Sequence, residues 1–279
     1  MIIRGTHTTT YTYDAPVTLD RHIVRLQPRT GGDQTLRRFE IRVNPAPTTQ
    51  TQTVDAEGNA LNVFWFLNAT SRLEIETCFE VESLRTNPFD FVPSLSSGFP
   101  LQLMPDEREL LRPCLKGFPS PEIDTLAHHI AASSDGSALG FTLAANRWIS
   151  ENVASGVRRH GQPRMPEHTL SDKKGACRDQ AVLLMALCRA KGIPARFVSG
   201  YHLKSAADVT RHDLHAWTEV WLPDGGWRGF DPTLGLATAE RHIAVAASAF
   251  FALASPVTGC FCGNVIARLP THAIRLGTI

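Results

Sequence analysis

The chain has 279 residues, enough for one large or two modest domains that each bury a core without covalent staples. Its formal net charge is +1, with Lys and Arg spread along the chain and no basic block, so nucleic acid and anionic membrane surfaces are not expected partners. No apolar run approaches the roughly 20 residues of a membrane helix, and Met1-Ile2-Ile3-Arg4-Gly5 opens directly into strand-like sequence without a signal peptide, so the expected compartment is the cytoplasm.

Residues 1–90 read as a β-rich domain. Segments 8–13, 22–27, 37–44, 48–54, 61–67 and 73–83 are rich in Thr, Val, Ile and aromatics, several alternate with period two, and Pro, Gly, Asp and Asn clusters separate them. Short strands at that spacing predict a small antiparallel sandwich. Within one of them, alternation makes at least one of Phe64, Trp65 and Phe66 point away from the sandwich interior, towards the rest of the chain. Residues 91–120 carry Pro93, Pro100, Pro105, Pro113 and Pro119 and read as a Pro-rich linker with little regular structure. Residues 121–279 form the second domain. Ile123, Leu126, Ala127 and Ile130 share one helical face, 139–153 form another helix with Trp148 and Ile149 on its apolar side, and the polar stretch 155–174 reads as a loop walling a cleft.

After that loop a helix begins at Cys177 in Lys174-Gly175-Ala176-Cys177-Arg178-Asp179-Gln180. Ala181, Leu184, Met185 and Cys188 give an apolar stripe, Lys191 supplies a cation to the last turn, Gly192 suits the left-handed residue beyond it, and Pro194 stops it. Gly175 permits a sharp entry, and Asp179 puts negative charge in the first turn. A thiol at a helix N-terminus meets unpaired amides and the positive end of the dipole, which favour thiolate and can hold an oxyanion. Taken alone, Cys177 reads more readily as a small core residue than as a nucleophile, so its partners decide.

Those partners lie on a predicted hairpin. Strands at 212–222 and 227–230 follow one at 195–202, and Pro223-Asp224-Gly225 forms a three-residue loop closed by a left-handed glycine. Leu222 then faces Gly226 and Trp217 faces Asp231, so His215 shares a face with Asp231, offset by two, within reach of a hydrogen bond. A four-residue loop without a bulge would put Asp231 on the other face. The candidate catalytic residues are therefore Cys177 as nucleophile, His215 as base and then acid, and Asp231 as the group that orients the imidazole.

The other chemistry-bearing residues read more plainly. The six cysteines are too few and scattered for a disulfide scaffold, and Cys260-x-Cys262 without a second ligand pair reads as two small residues near a strand. His128 and His129 read as surface or packing residues.

Four ordered motifs resemble the bacterial transglutaminase-like family, also described as candidate cysteine proteases. They are Gly175-Ala176-Cys177-Arg178-Asp179, Gly192-Ile193-Pro194-Ala195-Arg196-Phe197-Val198-Ser199-Gly200-Tyr201, His215-Ala216-Trp217-Thr218-Glu219-Val220 and Phe230-Asp231-Pro232-Thr233. Tyr11-Thr12-Tyr13-Asp14-Ala15-Pro16-Val17 resembles the β-rich domain that often precedes that core. The resemblance implies an α+β, papain-like core with the triad on Cys177, His215 and Asp231, no cofactor and no metal in the chemistry. The family pattern also carries a charged Gly-Arg-Asp after its His-Ile-x-Val-Ala segment, whereas His242-Ile243-Ala244-Val245-Ala246 here leads into Ser248-Ala249-Phe250. If that segment borders the cleft, substrate preference differs. For the second oxyanion donor, beside the Cys177 amide, Trp148, His160 and His168 are candidates.

The expected activity is acyl transfer from a peptide or carboxamide bond through a thioester, on a peptide or protein substrate. Water gives hydrolysis, slightly preferred, and an amine gives transamidation. A noncatalytic binding module of the same fold is the competing class.

Overall fold

A computed structural model describes residues 1–92, 98–158, 160–204 and 212–279; Pro93 of the linker and position 159 of the polar stretch lie outside them. In the first third, β1 (Ile2–Leu19) runs for 18 residues. It is followed by β2 (His22–Val24), β3 (Gln34–Asn44), β4 (Thr49–Val54), β5 (Ala60–Trp65) and β6 (Thr70–Ser83). The helices are α1 (Pro105–Leu115), α2 (Pro121–Ala132), α3 (Ala138–Asn152), α4 (Pro166–Asp172) and α5 (Cys177–Ala190), with short strands β7 (Ala154–Ser155) and β8 (Lys174–Gly175) between them. Then come β9 (Ala195–His202), β10 (Leu214–Leu222), β11 (Gly226–Asp231), β12 (Leu236–Ala237), β13 (His242–Ser248), β14 (Val257–Thr258), β15 (Phe261–Cys262) and β16 (Thr271–Thr278).

The fold is α+β and strand-rich. In one sheet β1 pairs with β6 and β16, β3 flanks β6, and β15 joins the last residues of β1. A second sheet runs β14-β2-β5-β4. Tyr13, Val17, Leu19, Val24, Leu26, Phe64, Phe66, Leu73 and Ile75 form their shared core. Along β6, Leu73 and Ile75 are buried in alternation with the more exposed Glu74 and Glu76, the period-two pattern of a strand with one face in the core. Trp65 does not reach the rest of the chain as expected: it ends β5 at 37% exposure, facing solvent.

A third sheet, β12-β11-β10-β9-β13, carries α5 against it. The helix is buried on every side from Asp179 to Arg189, beyond the single stripe read from its sequence, because α2, α3 and the sheet all pack on it. Its end is built as expected at Gly192, which sits at φ 67°. The cation of the last turn is Arg189, however, whose buried guanidinium donates to the carbonyls of Ala195, Lys116 and Ala249. Lys191 instead lies over the Phe99 ring at 5.7 Å.

Three sequence expectations meet a different architecture. The stretch read as linker contains α1, started by Pro105 at its first turn, where a proline costs the helix little; Pro113 lies inside the helix, which ends soon after at Leu115. The polar stretch before Cys177 contains α4 and the parallel pair β7/β8. Strands β14, β15 and β16, assigned by sequence to the second domain, are hydrogen-bonded into the two amino-terminal sheets.

The two halves are joined at an edge. β13 is the outer strand of the third sheet, and its free backbone groups are met by amide side chains of the first half. Gln34 accepts from the Ala244 N–H at 2.8 Å and donates to the Ala244 carbonyl at 2.9 Å. Asn59 does the same for Ala247, both at 2.8 Å. Each carboxamide thus acts as one residue of a missing strand.

Candidate active site

Cys177 stands at the first helical position of α5, where a backbone N–H has no intrahelical acceptor. Gly175 precedes it, and a Cβ there would lie 2.9 Å from the Asp179 Cβ and 3.0 Å from Thr169 Cγ2, so the glycine serves close approach. Asp179 is buried. One carboxylate oxygen accepts from the Ala176 N–H at 2.9 Å, and the other from the Arg164 N–H at 2.9 Å and from the Arg158 guanidinium. The first-turn acid is therefore neutralised, and it ties the preceding loop to the start of the helix. Gln180 donates to the Val153 carbonyl at 2.9 Å, and Thr218 of β10 donates to the Ala181 carbonyl at 2.7 Å. The first bond ties α5 to the end of α3, and the second locks it onto β10 near His215.

The hairpin has the expected register: Leu222 pairs with Gly226 and Thr218 with Phe230, which puts Trp217 opposite Asp231. The turn itself differs. Gly225 donates to the Leu222 carbonyl at 3.1 Å, and the left-handed residues are Asp224 at φ 62° and Gly226 at φ 65°, a type II-like turn led by Pro223. The diagonal offset closes as a hydrogen bond, with His215 Nε2 2.6 Å from Asp231 Oδ2. The thiol of Cys177 faces the His215 side chain and the Ala216 N–H, close enough for both to act on its ionisation. Asp231, His215 and Cys177 thus stand in one line, with a hydrogen bond between His215 and Asp231 and the thiol facing the same imidazole.

Their electrostatics follow from this contact. Burial opposes ionisation of Cys177, but the His215 hydrogen bond and charge, the Ala216 N–H and the Arg178 charge outweigh it and lower the thiol. Burial likewise opposes charge on His215, while the charge and hydrogen bond of Asp231 and the contact with Cys177 raise it well above the ordinary imidazole range. Asp231 would be raised by burial, yet the charge and hydrogen bond of His215 and the hydrogen bond of His242 hold it well below the usual carboxylate range. The arrangement can support a thiolate–imidazolium pair, a proton shuttle at His215, and amide donors at the helix start for a developing oxyanion.

Sequence reasoning missed His242 as a neighbour of this cluster. It begins β13, pairs with His202 and places Nε2 3.1 Å from the same Asp231 Oδ2. His202 packs against it with tilted rings, centroids 4.7 Å apart, and is lowered to about 4 by burial and by the charges of His242 and His215. The His of the His-Ile-x-Val-Ala segment was visible, but only the long-range pairing of β13 with β9 brings it here. Among the described residues, His215, Asp231 and His242 are the group whose ligand atoms, within 4.8 Å of one another, would be close enough to meet at one ion. Ser248-Ala249-Phe250 does not border this cluster: Ser248 pairs with Phe197 at the other end of β9, about 20 Å along the strand from His242. Of the three candidates for a second oxyanion donor, Trp148 packs against the helical core and His168 is exposed. The His160 carbonyl accepts from Arg158 and Arg178, and its ring faces His272 at 6.4 Å.

A cysteine at a helix start, joined through a histidine to an aspartate on the neighbouring antiparallel sheet, defines a papain-like cysteine core. Residues 124–232 match the transglutaminase-like superfamily and residues 3–82 the bacterial transglutaminase-like N-terminal region; the chain belongs to the transglutaminase-like superfamily, with that N-terminal region before its core. The chain resembles an uncharacterized protein of Mycobacterium leprae, 26% identical over 271 residues that cover 94% of both chains. It is 41% identical over 71 residues to a protein-glutamine gamma-glutamyltransferase of Pseudomonas aeruginosa, a stretch covering 23% of this chain and 11% of that one. The crystal structure of a candidate cysteine protease from Cytophaga hutchinsonii has the same fold, with a TM-score of 0.74 at 20% identity over 99% of this chain and 90% of that one.

Proposed function

We propose that the chain is a cysteine acyl-transfer enzyme acting on a peptide or carboxamide bond, with Cys177, His215 and Asp231 as its catalytic residues. The observation that carries this reading is the alignment of Asp231, hydrogen-bonded to His215, with the thiol at the start of α5 that faces the same imidazole. The Cys177 thiolate attacks the carbonyl carbon, forming the C–S bond, and the oxyanion develops beside the helix-start amides. Collapse breaks the C–N bond, and the proton held by His215 goes to the leaving amine. Water then attacks the thioester carbonyl and gives its proton to His215, releasing the acid and the thiol. Asp231 keeps the imidazole aimed throughout.

We favour hydrolysis as the second step, because water needs no site of its own. Transamidation is the second reading, supported by the similarity to the Pseudomonas aeruginosa gamma-glutamyltransferase. A peptide library with glutamine-containing and ordinary members, incubated with and without a primary amine and read by mass spectrometry, separates the two. Cleaved or deamidated peptides are the expected result, lost in Cys177→Ala. Amine adducts on glutamine would establish transamidation, and no Cys177-dependent product would favour a binding module.

A further inference from the structure

Asp231 is fully buried, and its two oxygens are held from four directions. Oδ1 accepts from the Thr233 N–H at 3.0 Å and the Leu234 N–H at 3.3 Å. Oδ2 is shared by two imidazoles, His215 Nε2 at 2.6 Å and His242 Nε2 at 3.1 Å. A carboxylate oxygen only accepts, so each of those nitrogens carries a proton. Only His215 faces the thiol; His242 is buried at 8% exposure, with its ring edge-on to Trp217 at 5.3 Å and against His202 at 4.7 Å.

We propose that His242 is a positioning residue of this site, donating its Nε2–H to Asp231 Oδ2 so that the carboxylate stays aimed at His215 Nε2. This rests on the reading of Cys177, His215 and Asp231 as catalytic. The two donors approach one oxygen from different strands, β10 and β13, and the backbone amides after β11 hold the other oxygen. The carboxylate plane is thereby set from three sides, as precise aim at an imidazole requires. The groups facing His242 are His202 on β9, His215 on β10 and Asp231 on β11, and a cavity of about 20 Å³ beside it is also lined by Asp33, Arg85 and Glu219. Burial, the largest influence, favours the neutral ring against the pull of Asp231. A neutral donor suits this place, because it steadies the carboxylate without competing with His215 for its charge. β13 is itself pinned by Gln34 and Asn59, so the amino-terminal region reaches the site through this strand.

The test is alkylation of Cys177 by iodoacetamide across pH 4 to 9, followed by peptide mapping so that the exposed Cys260 and Cys262 are counted separately. Wild type is compared with His215→Ala, His242→Phe and His242→Gln, each with a thermal melt. Phenylalanine keeps the ring packing and removes the donor; glutamine returns an N–H at a similar reach. The wild-type profile is expected to show low-pH reactivity that His215→Ala abolishes. In His242→Phe its midpoint moves up by about one pH unit, tenfold less thiolate at a given acidic pH, and His242→Gln returns it towards wild type. A folded His242→Phe with an unmoved or lowered midpoint overturns the inference, as does His242→Gln behaving like His242→Phe. If His242→Phe does not fold, His242→Asn, too short to reach Oδ2, takes its place against His242→Gln under the same criteria. A wild-type profile without a His215-dependent low-pH limb overturns the catalytic reading itself.

Discussion

Asp231 has no exposed surface and is paired with His215, and each partner favours the charged form of the other. The two shifts have opposite consequences for stability. A carboxyl depressed in the folded state adds stability above its unfolded value of about 3.9, lost as pH falls through the folded value. An imidazole raised in the folded state adds stability that is complete below about 6.5 and lost as pH rises through the raised value. Both describe one pair, so its full contribution falls between about pH 4 and 6.5. The melting temperature of wild type should exceed that of Asp231→Asn by the widest margin in that window, with the margin shrinking on both sides. A constant margin at every pH would mean that Asp231 acts through packing. Cys177 answers to the same pair: at pH 5 its alkylation should fall at least tenfold in His215→Ala, and an unchanged rate would remove the histidine from its ionisation.

At the scale of elements, β13 is the strand on which the halves depend. Its outer edge meets the Gln34 and Asn59 carboxamides, both almost wholly buried. Asn59→Leu keeps the bulk but strands the Ala247 N–H and carbonyl, and Gln34→Leu removes the partner of the Ala244 N–H and of the Arg29 carbonyl, while the Ala244 carbonyl keeps the Arg29 N–H. Each orphaned group costs about 1–3 kcal/mol, so each variant should lose about 2 kcal/mol or more in urea unfolding. A change within about 0.5 kcal/mol, the range of a neutral surface substitution, would show that the edge needs no cover. The hairpin β10–β11 has the opposite character. Its geometry is set within a few residues by Pro223-Asp224-Gly225, and that local turn puts Asp231 on the face of His215.

Across the whole molecule, the chain returns to where it began. After β13, residues 257–278 pair with β2 and β1, and β16 completes the sheet that β1 starts. The cluster of buried His7, Thr9 and Tyr201 with half-buried His272 joins these strands to β9. Residues 121–279 expressed alone would carry β14 to β16 without their pairing strands and β13 without its cover. No cooperative thermal transition is expected from that fragment by circular dichroism. A sharp transition near that of the full chain would show that the core folds independently of the first 120 residues.

What the sequence by itself determined is local: the start of α5 at Cys177, its stop at Gly192, the strand 195–202, and a hairpin register that aims Asp231 at His215. Each depends on residues within about one turn or one strand pair, where side-chain period and turn chemistry act directly on the backbone. The tertiary structure alone decided the meeting of Cys177 with His215, the approach of His242 to Asp231, the amide cover of β13 and the return of the last strands. Those contacts join residues as far apart as Ile3 and Thr278, 275 positions along the chain. No local preference encodes such a pairing; it follows from burying two apolar cores while giving every buried polar edge a partner.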